Sequence, residues 1–584
     1  MCKIMKKFII PLIVLFLSVN IFAKKYSDIM PLNKIKPGMK GFGKTVFQGI
    51  KIEKFNVEII GVLKGVRPKS GLILAKISGK TVDKAGVIAG MSGSPIYINN
   101  KIIGALAFSW AFSKEPIAGI TPIEDMLDIW NMKKPQHLDS FNMNYFNNLY
   151  ADSDDKNSNL KPIATPIMIS GLSEHSINIF KKDFADFNLI PMLGGSAGND
   201  NSLPVPKKFE PGAAVGVNLI SGDLNASGIG TVTYVDKNKI LIFGHPMFFA
   251  GNIDIPFSYA YIHTVLPSLY VSFKLGQSTK IAGKLYSDQL AGVAGTIGAT
   301  PSMIPVSVNI NFFKNIKQFH YNIIKNYNFL PMFLGMSILK SIEMTGGKGE
   351  QNTLLFKYKI TFSNGKVISL SDSIASFNSG QSIRNSLMFL FSPISAVLLN
   401  QFKTVSISDI KINIKITPKI KIAEIKNIII NKKEYKPGDT VVLNIKIKPF
   451  KEKPFYKQLK IKLPFNIKNG KFPVIVSSAR ERQYIDYLLS PKKYVPQSFD
   501  QLIDIINSLA NSTDISAWGI IRDKGLLING QQLNHIPPSY YYMYKNSMET
   551  GASRTFVQIA ENMPLDYIIV NDAIVNLKIK DSNN

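Results

Sequence analysis

The stretch "KINIKITPKIKIAEIKNIIINKKEYKPGDTVVLNIKIKP", Lys411–Pro449, alternates lysine with isoleucine at period two. Successive side chains on a strand point to opposite faces, so this run has one apolar and one charged face. That is the pattern of an antiparallel sheet with one wet side. The "YKPGDTV" within it supplies a turn between strands. Upstream, "FNVEIIGVL" (55–63) and "GLILAKISG" (71–79) are β-rich runs bounded by Gly, Pro and Lys. The chain is therefore expected to be mainly β, with a β-sandwich starting near residue 404 and a helix at Phe499–Ala510 capped by Ser498. At 584 residues and 45% hydrophobic content it can bury several cores, in about two to four domains.

Cys2 is the only cysteine. It precedes "KIMKKFIIPLIVLFLSVNIFAKK", a basic region, a short apolar run and a small residue, Ala23. That is the grammar of a secretory signal, too short for a typical spanning helix. Residues 1–23 are expected to be a signal peptide, and the mature chain to be exported to the periplasm or the outer face of the inner membrane of a bacterium. Without cysteine it would have no disulfide, no thiol nucleophile and no thiolate-bound metal. The formal charge of +29 favours an envelope partner or an anionic surface such as lipid headgroups or wall polymers. The lysines are spread along the whole chain and accompany no nucleic-acid motif, so no nucleic acid is expected as partner.

Six segments are expected: the signal peptide; a serine-bearing β region over 24–145; a polar linker over 146–162; a histidine-bearing β region over 163–305; a mixed α/β region over 306–403; and the C-terminal sandwich with a helical extension over 404–584. In the first β region Asn99-Asn100 suits a tight primed turn, pairing Pro95–Ile98 with Lys101–Phe108. Thr121, Pro122 and Glu124 form a capping box, so a short helix should start near Pro122. "FLPMFLGMSILKSI" and "SLMFLFSPISAVLL" read as buried helices rather than membrane spans. No metal-ligand cluster, phosphate loop or dinucleotide fingerprint is present, so no cofactor and no metal are expected; "GGSAGN" reads as a loop.

Chemistry concentrates in "AGVIAGMSGSPIYINNKIIGALAFSW", Ala85–Trp110. Glycines around Ser92 allow a sharp turn that exposes the hydroxyl and lets N–H groups converge where an oxyanion would form. The same letters also suit a plain glycine corner between strands. The longer run "GMSGSPIYINNKIIGALAFSW" resembles the active-serine segment of trypsin-like peptidases. More closely, Gly90–Pro95 is similar to the Gly-Met-Ser-Gly-Ser-Pro hallmark of the SpoIVB peptidase family of exported bacterial serine peptidases, with likeness from about Asp83 to Leu127. The resemblance implies a trypsin-like β-barrel region, Ser92 as nucleophile and the N–H groups of Gly90 and Ser92 as oxyanion hole.

A serine needs a base. Trypsin-like chains place that histidine before the serine, but here the first of six is His137, followed by His175, His245, His263, His320 and His535. "GIGTVTYVDKNKILIFGHPM" (Gly228–Met247) resembles the histidine segment of the same family and implies His245 as base. The two segments then occur in reversed order, which a permuted barrel arrangement would reconcile. His263 is a competing base. For the acid, Asp254 and Asp83 are both open, since Ser78 stands near the place where the family has an aspartate. No PDZ-type binding region is recognised.

Three functions remain. One is an exported serine endopeptidase acting on a protein or peptide substrate in the envelope, with Ser92, His245 and Asp254 as its catalytic set. The other is a catalytically inactive scaffold or peptide-binding protein of the same fold. A lysine-faced C-terminal sheet that engages anionic polymers is a third.

Overall fold

The computed structural model describes residues 28–67, 70–110, 113–132, 160–194, 203–313, 315–346, 351–376, 392–528, 531–533, 537–545 and 553–580. The expected signal peptide, most of the expected linker, His137 and His535 lie outside these residues. The chain divides into two compact units: one holds residues up to Met303 together with Tyr321–Phe333, the other Ile304–His320 together with Leu334–Asn584. Both are mainly β, as the period-two patterning implies.

The first unit contains two closed rings of antiparallel strands. The serine ring comprises β1 (Lys40–Val46), β2 (Ile52–Arg67), β3 (Ser70–Ser78), β4 (Pro95–Ile98), β5 (Lys101–Trp110) and β6 (Ile117–Pro122). They pair in the order β4-β1-β2-β3-β6-β5, and β4 also pairs with β5, which closes the ring. Phe55, Val57, Ile73, Ile77, Ile96, Leu106 and Ile120 belong to its core. β4 and β5 form the expected hairpin, with Asn99 and Asn100 at φ 50° and 60°, the left-handed pair that a type I′ turn requires. β7 (Leu160–Pro162) adds to β5.

In the second ring, β8 (Thr165–Ser170) and β9 (Leu189–Leu193) run parallel to each other and attach through β8 to β11. The ring proper is β10 (Ala214–Gly222), β11 (Asn225–Asp236), β12 (Lys239–Ile242), β13 (Gly251–Leu266), β14 (Phe273–Gln289) and β15 (Gly292–Ile297). Its order is β10-β13-β14-β15-β12-β11, closed by β10 on β11. One apolar cluster, including Ile102, Ala105, Met126, Leu241, Ala291 and Ala294, draws on both rings and joins them.

The helix expected near Pro122 is α1 (Ile123–Asp128), but the capping box is not used. Thr121 donates its hydroxyl to the Gly244 carbonyl, and Glu124 accepts the Leu32 N–H. Both groups are taken by partners remote in sequence, which local pattern could not foresee.

In the second unit the alternating isoleucines lie inward. Along Ile407–Thr417, Ile410, Ile412, Ile414 and Ile416 are buried while Lys411 and Lys415 are exposed. Two further sheets contribute to one core: Val441, Leu443 and Ile445 from Thr440–Pro449, and Val474, Val476 and Leu577 from Gly470–Ser478 and Ala573–Ile579. Ser498 caps the helix Phe499–Asn507 by accepting the Gln501 N–H, as expected. No helix among the described residues is long and apolar enough to cross a membrane.

Candidate active site

Ser92 lies in the tight loop that enters β4. Gly90 and Gly93 flank it at φ +95° and +94°, a backbone region that glycine visits freely. Gly93 is also required by space: a Cβ there would stand 2.1 Å from the Thr231 carbonyl oxygen and 2.5 Å from the Phe243 nitrogen. The loop's N–H groups divide. Ala89, Met91, Gly93 and Ser94 donate to the carbonyls of Ser272, Ile88, Leu106 and Met91. The N–H groups of Gly90 and Ser92 make no backbone bond of this kind among the described residues.

β11 holds the loop from below. Thr231 donates its amide to the Ser92 carbonyl (2.9 Å) and its hydroxyl to the Gly90 carbonyl (2.9 Å). Thr233 donates its hydroxyl to the Gly93 carbonyl (2.8 Å). Beneath them Lys274, at the start of β14, is fully buried. Its Nζ donates to Thr45 Oγ1 (2.7 Å) and Thr231 Oγ1 (3.3 Å), and its stem packs closely on Gly90, 3.2 Å from where a Cβ would stand. Burial pushes its ammonium down to about 7.

His245 follows β12. The chain turns there through Phe243 and Gly244 at φ 71° and 76°. A bulky residue with positive φ is costly and persists only where its surroundings impose it. Here the turn aims the Phe243 carbonyl at Ser92, whose Oγ donates to it at 2.7 Å across 151 residues of sequence. Gly244 fits against Ala105 and Ala107 of β5. The serine and histidine segments are thus in direct contact, and the hydroxyl bonds to Phe243, two residues before the imidazole. Ser92 is 1% exposed and His245 2%.

His245 Nδ1 lies 2.7 Å from the Pro246 carbonyl oxygen. A carbonyl only accepts, so Nδ1 carries the proton and Nε2 the basic lone pair. The rings of Phe108 and Phe243 stand at 6.5 and 5.7 Å between centroids.

The other expected residues go elsewhere. Asp254 on β13 accepts from Lys284 Nζ (3.4 Å) and from the Ser302 N–H (3.1 Å). Asp83 accepts the Gly79 N–H (3.0 Å) beside a short helical turn. His263 Nε2 is 3.4 Å from Gln277 Oε1 and its ring meets Tyr261 edge-on. The carboxylate under the histidine loop is one the sequence did not single out. Asp288, at the far end of β14 and fully buried, accepts the N–H groups of Met247 (2.9 Å), Phe248 (2.7 Å) and Ala250 (3.4 Å). Burial outweighs these bonds and pushes its carboxyl up to about 6. Neither "SFKLG" around Lys274 nor "YSDQL" around Asp288 has a motif; only burial sets them apart.

No curated protein and no solved structure matches the chain. Residues 17–127, which include Ser92 and strands β1 to β6 and stop well short of His245, match the family model of the SpoIVB peptidase S55.

Proposed function

We propose that the protein is a serine endopeptidase of SpoIVB type, exported and acting on a protein substrate in the cell envelope. The observation that carries this reading is the direct packing of the serine loop on the histidine loop, with Ser92 Oγ bonded to Phe243. In the reaction, the Ser92 hydroxyl leaves the Phe243 carbonyl by rotating about its Cα–Cβ bond and gives its proton to His245 Nε2. The Oγ attacks the peptide carbonyl, and the N–H groups of Gly90 and Ser92 receive the oxyanion. His245 returns the proton to the leaving amine, and water then releases the acyl group by the same steps.

A fluorophosphonate probe tests this on the intact protein. Labelling is expected in the wild type, absent in Ser92→Ala, and slowed by at least about 100-fold in His245→Ala, the typical worth of a general base. A second reading, an inactive scaffold, is favoured by the near-complete burial of Ser92 and the bond its proton makes to Phe243. Absence of wild-type labelling would favour that reading instead, and equal labelling of Ser92→Ala would remove Ser92 as the nucleophile.

A further inference from the structure

We propose that Asp288 is the acid of the site and acts on His245 through the single peptide group that links Pro246 to Met247. This rests on the peptidase reading for its catalytic meaning, though the coupling itself is a property of the fold. The carbonyl of that peptide accepts from His245 Nδ1 at 2.7 Å. The N–H of the same peptide donates to Asp288 Oδ1 at 2.9 Å. Carboxylate, amide and imidazole therefore form one continuous chain of hydrogen bonds. In a Ser-His-Asp triad the carboxylate touches the imidazole N–H directly. Here one planar amide is inserted between them.

The amide transmits the charge. A carboxylate on its N–H end draws the peptide dipole into line and makes the carbonyl oxygen a stronger acceptor, since hydrogen bonds in a chain polarise one another. When His245 takes the serine proton, the imidazolium faces that carbonyl, with the negative charge one peptide behind it. Asp288, Met247, Phe248 and His245 are all buried, so water does not screen the chain. The Phe248 and Ala250 N–H groups bond the second carboxylate oxygen, which fixes the orientation of Oδ1 toward Met247. Burial and backbone amides govern the ionisation of Asp288, and no charged side chain among the described residues enters that balance. Asp288 is a positioning residue: it holds the tautomer and the charge of His245 without touching substrate.

The alternative is that Asp288 only ties down the loop. Asp288→Asn separates the two, because it keeps the size and removes the charge. The probe's labelling rate is expected to fall about 10- to 100-fold, short of the ~10⁴-fold loss when a directly bonded acid is changed. Its pH midpoint should move to lower pH, because the imidazolium loses its support. In protein labelled with ¹⁵N-histidine, the His245 midpoint should fall likewise, whether or not the enzyme reacts with the probe. An unchanged His245 midpoint in folded Asp288→Asn overturns the proposal. If wild type and Ser92→Ala both fail to label while the midpoint moves, the peptidase reading falls and the coupling stands. Should Asp288→Asn not fold, the wild type decides: the Met247 amide and the His245 imidazole must share the inflection of Asp288, and the lack of a common inflection overturns the proposal.

Discussion

Lys274 is a basic side chain fully buried in the first unit. An ammonium wholly removed from water, bonded to two hydroxyls and to no carboxylate among the described residues, is held at a cost. Its folded-state pKa is about 7, well below the ordinary lysine value. Between about 7 and that ordinary value the folded protein holds it neutral while the unfolded chain binds a proton. Its contribution to stability is therefore fully present at high pH and is lost as pH falls toward 7. Urea midpoints should rise from pH 7 to pH 9 in the wild type. In Lys274→Met, which fills similar volume without charge, that rise should vanish and the pH 7 midpoint should increase. A wild-type midpoint that stays flat over the interval would show that the lysine is not neutral in the fold. Asp288 is the mirror case. Its raised pKa gives stability present at low pH and lost as pH rises through about 6. The same ionisation puts the carboxylate in place behind His245.

At the level of elements, local signals were legible and long-range ones were not. Asn99-Asn100 marked its hairpin because positive φ at two successive residues is a local demand. Ser498 marked its helix because a cap is satisfied three residues away. Thr121 misled for the converse reason: its hydroxyl bonds across the molecule to Gly244. β11 shows the same limit. "GTVTYV" reads as an ordinary β run, yet its two inward hydroxyls carry the serine loop. Thr231 also receives Lys274, so one side chain joins three elements. Thr231→Val keeps the shape, takes the hydroxyl from the buried Gly90 carbonyl and leaves the Lys274 amine with Thr45 alone. It should cost roughly 1–3 kcal/mol in chemical denaturation and slow probe labelling, with Thr231→Ser restoring most of both. In the Lys274→Met background Thr231→Val should cost less than it does alone, because the amine that loses a partner is gone. Strict additivity would mean that the two side chains act independently.

Across the whole first unit, the decisive feature is that the serine and histidine loops belong to different closed rings. The serine ring comes first in the chain and the histidine ring second. Each ring closes on its own strands, so the two loops meet between two complete barrels. Sequence reading could find the two loops because each is a compact motif. It could not find their acid or their buried lysine, which β14 brings in from opposite ends of one strand. The two rings meet through side-chain packing, a few side-chain bonds and two short backbone bridges, Gly49 with Ile262 and Ala89 with Phe273. Leu241 lies in the shared cluster with Ile102 and Ala105 and is fully buried. Leu241→Ala should cost about 2–5 kcal/mol, the usual range for a buried leucine replaced by alanine. The loss should be felt first where the rings meet. The Thr231 amide, bonded to the Ser92 carbonyl, reports on that contact, whereas the Val57 amide lies within β2 of the serine ring. Hydrogen exchange followed by mass spectrometry should show Thr231 losing protection in the variant well before Val57 does, with labelling of Ser92 falling in step with Thr231. Equal loss at both positions would mean that the rings unfold together as one cooperative body and that the site has no weaker seam.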